Sequence, residues 1–149
     1  MTFTLRKAIE KDLEAVHDLV NQLAVYEKVP NAVTTTVEYY SAAFNNGDIQ
    51  IDVALVDDAI VGMTLYYTTF STWKGKMLYL EDFYIEPRYR GNGIGVALFD
   101  LFLATAKNQG CVMTKWQVLD WNTSAVNFYL KRGATIEKEW WNGKIMIEQ

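Results

Sequence analysis

Within the stretch Met77–Asp100, MLYLEDFYIEPRYRGNGIGVALFD, two carboxylates precede a cluster of glycines. Glu81 and Asp82 interrupt an apolar, aromatic-rich run. After Pro87 come Gly91-Asn92-Gly93-Ile94-Gly95, and then an apolar-periodic segment that begins at Val96. The order reads as strand, tight loop, helix. Glycines at every second position let the backbone approach a ligand closely, and the open N–H groups of a first helical turn attract phosphate. The stretch is therefore suited to hold a phosphorylated cofactor beside two carboxylates. A dinucleotide fingerprint starting at Gly91 needs glycine or alanine where Val96 stands, and no P-loop sequence occurs, so neither nucleotide motif fits.

The elements that must position this stretch follow from periodicity. Phe3 to Arg6 reads as a short strand. Glu10 to Tyr26 reads as a helix with an apolar face at Leu13, Val16, Val20, Leu23 and Ala24. A loop from Glu27 to Thr35 contains Pro30, and its threonines can cap a second helix from Val37 to Asn45. Ile49–Val56 and Ile60–Phe70 read as strands around the turn Asp57-Asp58, and Met77–Ile85 completes an antiparallel meander. An apolar helix follows the glycines and stops at Gly110. Val112–Leu119 is the next strand, and Asn122-Thr123-Ser124 caps a short helix from Ala125 to Lys131. Thr135–Trp140 and Lys144–Ile147 read as two final strands around Asn142-Gly143, the strongest short hairpin signal in the chain. The order β-α-α-β-β-β-α-β-α-β-β implies a mixed α/β sheet with a helical crossover between the fourth and fifth strands.

Composition narrows the function classes. At 149 residues, half of them apolar or aromatic, the chain is expected to be a single domain, residues 1–149, with a real core. A net charge of -4 and the absence of a basic run argue against nucleic acid as partner and favour a cationic one. No terminal signal pattern or membrane-length apolar run stands in the sequence, so a cytoplasmic protein with no membrane partner is expected. One histidine, His17, and one cysteine, Cys111, cannot build a zinc site or a redox pair, and no metal is expected. His17 lies on the apolar stripe of the first helix and reads as a packed side chain. Cys111 reads as a buried small thiol.

The run Arg90-Gly91-Asn92-Gly93-Ile94-Gly95 resembles the R/Q-x-x-G-x-G/A acetyl-CoA pyrophosphate loop of the GCN5-related N-acetyltransferases (GNAT). LAVYEKV, TWKGKMLYLEDFYI, YRGNGIG and DWNTSAVNFYLKRGA, in this order, resemble the spermidine/spermine N-acetyltransferase branch across most of the chain. The resemblance implies the GNAT fold: a mixed, mostly antiparallel sheet of about seven strands, splayed between strands 4 and 5, with about four helices. It also implies acetyl-CoA as cofactor, a small amine as acceptor, a diamine or polyamine, and a homodimer.

The resemblance assigns roles residue by residue. Arg90, Gly91, Asn92, Gly93, Ile94, Gly95 and Val96 would hold the pyrophosphate. Phe83, Tyr84 and Ile85 would lie along the pantetheine arm, with Asn122, Ser124 and Ala125 completing the cofactor contacts. A primary amine with a pKa near ~10 is protonated at neutral pH, so a base is useful. Glu81 is the candidate, through water. Strict alternation sends it and Asp82 to opposite faces of the strand, with Asp82 structural or orienting the acceptor. Tyr129 matches the tyrosine that protonates the departing thiolate. Tyr26, Glu27, Trp73, Asp82 and Asp120 are candidates to receive the acceptor amine. Both strand carboxylates can instead serve as plain hydrogen-bond acceptors, and Asn122 as a plain helix cap. The alternatives are an acetyltransferase for lysine, thialysine or a protein amine, and, in another class, a non-catalytic acyl-CoA-binding regulatory module.

Overall fold

The computed structural model of the chain describes residues 1–149. It divides into two compact units, Met1–Gln117 and Val118–Gln149. The first holds strands β1 (Thr4–Lys7), β2 (Gln50–Val56), β3 (Ala59–Ser71), β4 (Gly75–Ile85) and β5 (Met113–Trp116), and helices α1 (Leu13–Tyr26), α2 (Val37–Asn45) and α3 (Ile94–Asn108). The strands lie in the order β1-β2-β3-β4-β5. The first four are antiparallel, and β5, reached through α3, runs parallel to β4. A parallel neighbour demands such a crossover, so the expected helix between the fourth and fifth strands is the observed one.

Period-2 alternation splits the core into two layers. Ile51, Val53, Met63, Leu65 and Tyr84 face α1, where Leu13, Val16, Leu19 and Val20 bury the predicted stripe. Ala54, Val56 and Val61 face Ile94 and Leu98 of α3. A buried carboxylate on the α3 face, Asp52, is neutralised locally: Lys7 Nζ lies 3.0 Å from it, and the Tyr66 hydroxyl donates to it at 2.7 Å. A charge in that position without such partners would be strongly destabilising. The start of α1 is fixed by Arg6, whose guanidinium bonds both oxygens of buried Asp12 at 2.6 and 3.1 Å. His17 is a packed side chain as expected, its Nε2 2.7 Å from the Thr35 carbonyl and its ring edge-on to Tyr40. Cys111 is half-buried.

The second unit contains α4 (Thr123–Lys131), ended at Gly133 with a φ of +84°. The two final strands expected at Thr135–Trp140 and Lys144–Ile147 do not form, and β5 is shorter than its predicted span, so the sheet has five strands and not about seven. A strand exists only with a neighbour to take its N–H and C=O groups, and this segment joins no ladder. No helix is long and apolar enough to cross a membrane.

Candidate active site

An irregularity in β4 organises the candidate site. Leu65 pairs with Asp82 and Tyr66 with Leu80, so Glu81 is an extra residue with no partner in β3. Such a bulge bends the strand and re-aims its side chains. Before it, Tyr79 stacks on its cross-strand partner Tyr67, ring centroids 5.5 Å apart, and Glu81 joins them by accepting a 2.8 Å hydrogen bond from the Tyr67 hydroxyl. Beyond it, Phe83 packs on the α3 layer and Tyr84 in the α1 layer, which returns Asp82 to the α1 side. The expected placement of the two carboxylates on opposite faces is thereby corrected. The extra residue shifts the alternation by one and brings both to the same face.

That face is electronegative. Burial, then the charges of Glu81 and Glu27, push the Asp82 carboxyl up to about 7. Burial likewise raises Glu27, which caps the C-terminus of α1. Tyr40 of α2 is held above the usual phenol range by burial and by the charges of Asp82 and Glu81. Tyr67 is raised by burial and by its bond to Glu81. Each of these groups resists adding negative charge, so together they form a site that a cation would stabilise. Tyr40, Tyr67 and Tyr79 were not among the sequence candidates. The β3–β4 turn carries a signal for two of them, since Ser71 opposite Gly75 sets Tyr67 opposite Tyr79. Nothing local marks Tyr40.

The cofactor candidates adjoin the same strand. β5 accompanies β4 only from Met77 to Leu80, so from Glu81 to Ile85 that side of β4 has no strand partner, the expected splay. Gly95, in the first turn of α3, presses on this end: a Cβ there would meet Ile85 at 3.3 Å and Phe83 at 3.7 Å. Gly91 and Gly93 have φ of +77° and +86°, and a Cβ on either would point into open space. With Ala97 making the first helical bond back to Gly93, the N–H groups of Ile94, Gly95 and Val96 lie in the turn that helical bonding leaves unpaired. Arg90 folds back: its Nε donates to the Ile85 carbonyl at 2.8 Å, and its guanidinium lies 5.3 Å from the Tyr26 ring and 5.2 Å from that of Tyr84. Asn92 donates to the carbonyls of Tyr89 and Arg90 and so shapes the loop. An open, glycine-lined cradle at a helix N-terminus, beside a stretch of β4 that β5 does not accompany, fits a pyrophosphate followed by an extended amide-bearing arm.

The remaining candidates lie on other elements. Trp73 sits exposed in the β3–β4 turn, roughly 20 Å along β4 from Glu81 at strand rise, and is not part of the carboxylate cluster. In the second unit, Asn122 caps α4 by accepting from Ala125 N at 3.2 Å. Asp120 and Ser124 are exposed, and Ala125 is half-buried. Tyr129 is buried, edge-on to Phe128.

The model of the Acetyltransferase (GNAT) family matches residues 13–134. The chain belongs to the GNAT acetyltransferases. As a member it is an acetyltransferase that uses acetyl-CoA as acyl donor, which sets aside the non-catalytic reading. It is 35% identical over 151 residues to the thialysine N-epsilon-acetyltransferase of Bos taurus, covering 93% of this chain and 88% of the relative. It is 31% identical over 141 residues to the human spermidine/spermine N(1)-acetyltransferase-like protein 1, covering 89% of this chain and 20% of that one. Among solved structures, an aminoglycoside acetyltransferase from an uncultured soil metagenomic sample superposes with a TM-score of 0.81 at 18% identity, covering 98% of this chain and 97% of the other. A predicted acetyltransferase from Clostridium acetobutylicum, solved with acetyl-CoA, also reaches 0.81 at 18% identity, covering 96% of each chain. At these identities the structural likeness establishes the GNAT fold.

Proposed function

We propose that this acetyltransferase modifies a primary amine of a small cationic acceptor, a diamine or polyamine, and acts as a cytoplasmic homodimer. The observation that carries the acceptor class is the gathering of Glu27, Glu81 and Asp82 with Tyr40, Tyr67 and Tyr79 around the β4 bulge. Carboxylates beside aromatic faces attract ammonium groups, and a molecule with several such groups gains from each.

Acetyl-CoA, when bound, supplies the acetyl group as an electrophilic thioester. Gly91 to Val96 would receive its pyrophosphate and Phe83 to Ile85 its pantetheine arm, with Asn122, Ser124 and Ala125 completing the contacts. In this reading Glu81, exposed at the bulge, takes the ammonium proton through water, and Tyr129 gives a proton to the leaving thiolate. Asp82 orients the acceptor. One observation favours a second assignment: Asp82, raised to about 7, has the affinity for a proton that a base working at neutral pH needs. The kinetics of Glu81→Gln and Asp82→Asn separate the two. The base variant loses on the order of a hundredfold in kcat, whereas loss of the orienting residue appears first in KM for the amine.

A thialysine or lysine acceptor is the alternative substrate, supported by the names of the relatives at 35–36% identity. Release of coenzyme A thiol from acetyl-CoA, with spermidine, spermine, putrescine, lysine, thialysine and a lysine peptide offered in parallel, decides between them. A higher kcat/KM for a polyamine supports the proposal. Turnover confined to the amino acids or the peptide overturns it.

A further inference from the structure

The packed faces of α1 and α2 are apolar except at one place. On α2, Val37, Tyr40 and Phe44 follow at the spacing of one helical face and pack against the core layer that α1 covers. On α1, His17 stands among Leu13, Val16 and Val20. The two polar exceptions meet, their rings edge-on with centroids 5.1 Å apart. Apolar side chains at both positions would fill this space with no polar group left to satisfy. Instead a chain of hydrogen bonds runs through them. The Asn21 amide donates to the His17 carbonyl at 3.0 Å, which orients it, and to His17 Nδ1 at 3.3 Å. Nδ1 therefore accepts, and Nε2 carries the proton that it donates to the Thr35 carbonyl at 2.7 Å. The Thr35 side chain in turn shares a hydrogen bond with the Tyr40 hydroxyl. Thr35, which precedes the Thr36 cap of α2, is thus gripped through its backbone by α1 and through its side chain by α2. A satisfied network of this kind selects one arrangement of its members.

What the network holds in place is the Tyr40 ring. The cluster on which Tyr40 packs includes Leu65 and Tyr84. Leu65 is the ladder partner of Asp82, and Tyr84 follows Asp82 by two residues on the same face of β4. The half-buried ring is therefore carried by α2 to the side of the sheet on which Asp82 lies, and burial keeps it a neutral phenol. We propose, resting on the cationic acceptor argued above, that Tyr40 binds the acceptor ammonium beside Asp82 through its ring face, with His17 and Thr35 as the positioning residues that hold the ring. The attraction is to the face of an aromatic ring and not to its edge, so the angle of the ring decides whether a cation gains from it. The edge-on contact with His17 fixes that angle, and the bond to Thr35 fixes the tip.

The test takes the amine with the highest kcat/KM in the parallel assay, so that a wrong acceptor class shows in the wild type and a wrong role for Tyr40 only in the variants. Tyr40→Leu should raise KM for that amine about tenfold, with kcat held to within about twofold and Kd for coenzyme A unchanged. Tyr40→Phe keeps the ring, loses the tether, and should raise the same KM about threefold. His17→Leu removes the donor to Thr35 and should also raise it about threefold, and His17→Gln, whose amide can donate to the same carbonyl, should restore it. In the double variant Tyr40→Leu/His17→Leu the two effects should not add, because His17 acts through the ring. Tyr40→Met, with an adaptable side chain of no aromatic character, repeats the measurement where Tyr40→Leu does not fold. An amine KM within about twofold of the wild type after loss of the ring, or a defect that coenzyme A binding shares, overturns the role of Tyr40. Additive effects in the double variant, or no rescue by His17→Gln, overturn the positioning role of His17.

Discussion

The Tyr67 hydroxyl donates a 2.8 Å hydrogen bond to Glu81 Oε2, from a ring stacked on Tyr79 and next to a bulge that leaves Glu81 without a ladder partner. A residue outside the ladder is held by its side chain, so Tyr67 fixes where the carboxylate points. Tyr67→Phe keeps the stack and removes the donor. We expect kcat to fall about tenfold, the kinetic equivalent of one hydrogen bond to a charged group, with KM for acetyl-CoA unchanged. Steady-state kinetics with both substrates varied checks this. A loss confined to acetyl-CoA affinity would remove Tyr67 from the acceptor side.

Asp82 has an opposite pH signature from an ordinary surface carboxylate. Its folded-state pKa of about 7 stands above its ordinary 3.8, so between about pH 4 and 7 the folded state binds more protons than the unfolded. The contribution of this group to stability therefore falls as pH rises through that window. Asp82→Asn should be more stable than the wild type at pH 8 by about 1–2 kcal/mol, allowing for solvent screening, and the gain should vanish near pH 4. Thermal denaturation at pH 4, 6 and 8 reads it out. In activity, kcat/KM for the amine should show a break near 7 that is absent from Asp82→Asn. Glu81→Gln should move the break lower, because one of the charges raising Asp82 is gone.

Gly93 separates the cost of a backbone conformation from the cost of filling a binding cradle. At a φ of +86°, Gly93→Ala should lose about 1 kcal/mol of stability, and its methyl would enter the open space above the N-terminus of α3. We expect Kd for coenzyme A to rise at least tenfold. Gly47, at a φ of +79° with nothing within 4 Å of where a methyl would stand, is the control: Gly47→Ala should match the stability loss and leave coenzyme A affinity alone. Calorimetric titration of both variants checks the difference.

Tyr129→Phe removes one hydroxyl from a buried ring and leaves its packing on Phe128 in place. If the phenol serves as general acid, kcat should drop on the order of a hundredfold with both KM values retained. The decisive comparison replaces the acetyl thioester with an activated ester whose leaving group needs no proton. The variant should recover most of the lost rate on that donor, and persistence of the defect would assign Tyr129 to structure.

Much of this arrangement could be read in the sequence, because local chemistry dictated it. Asp57 and Asp58 form the predicted tight turn with φ of +48° and +64°, Thr36 caps α2 through Tyr39 N, and Gly91 and Gly93 take the left-handed conformations that their loop required. The bulge was not legible. An alternation count has no mark for an extra residue when its neighbours on both sides are strand-like, so strict alternation puts Asp82 one position out of phase with Glu81. The perturbation of Asp82 depends on Glu27, far away in sequence and brought near by the packing of α1, and no local pattern reports it. Trp73 illustrates the converse. Its motif is local, but its distance from Glu81 is set by six residues of extended chain. The last hairpin had every local signal, and its absence from the single chain reflects that strand formation is a property of pairs.

Leu80 opposite Tyr66 and Asp82 opposite Leu65 would be consecutive pairs of an ordinary ladder if Glu81 were taken out. The sheet therefore carries this carboxylate as a supernumerary residue, one that its register does not count. Architecture and chemistry are decoupled at that position: the acid can be exchanged, lengthened or deleted while Phe83 keeps its seat against α3 and Tyr84 its seat against α1. A scaffold with such a position can vary that side chain without refolding its core.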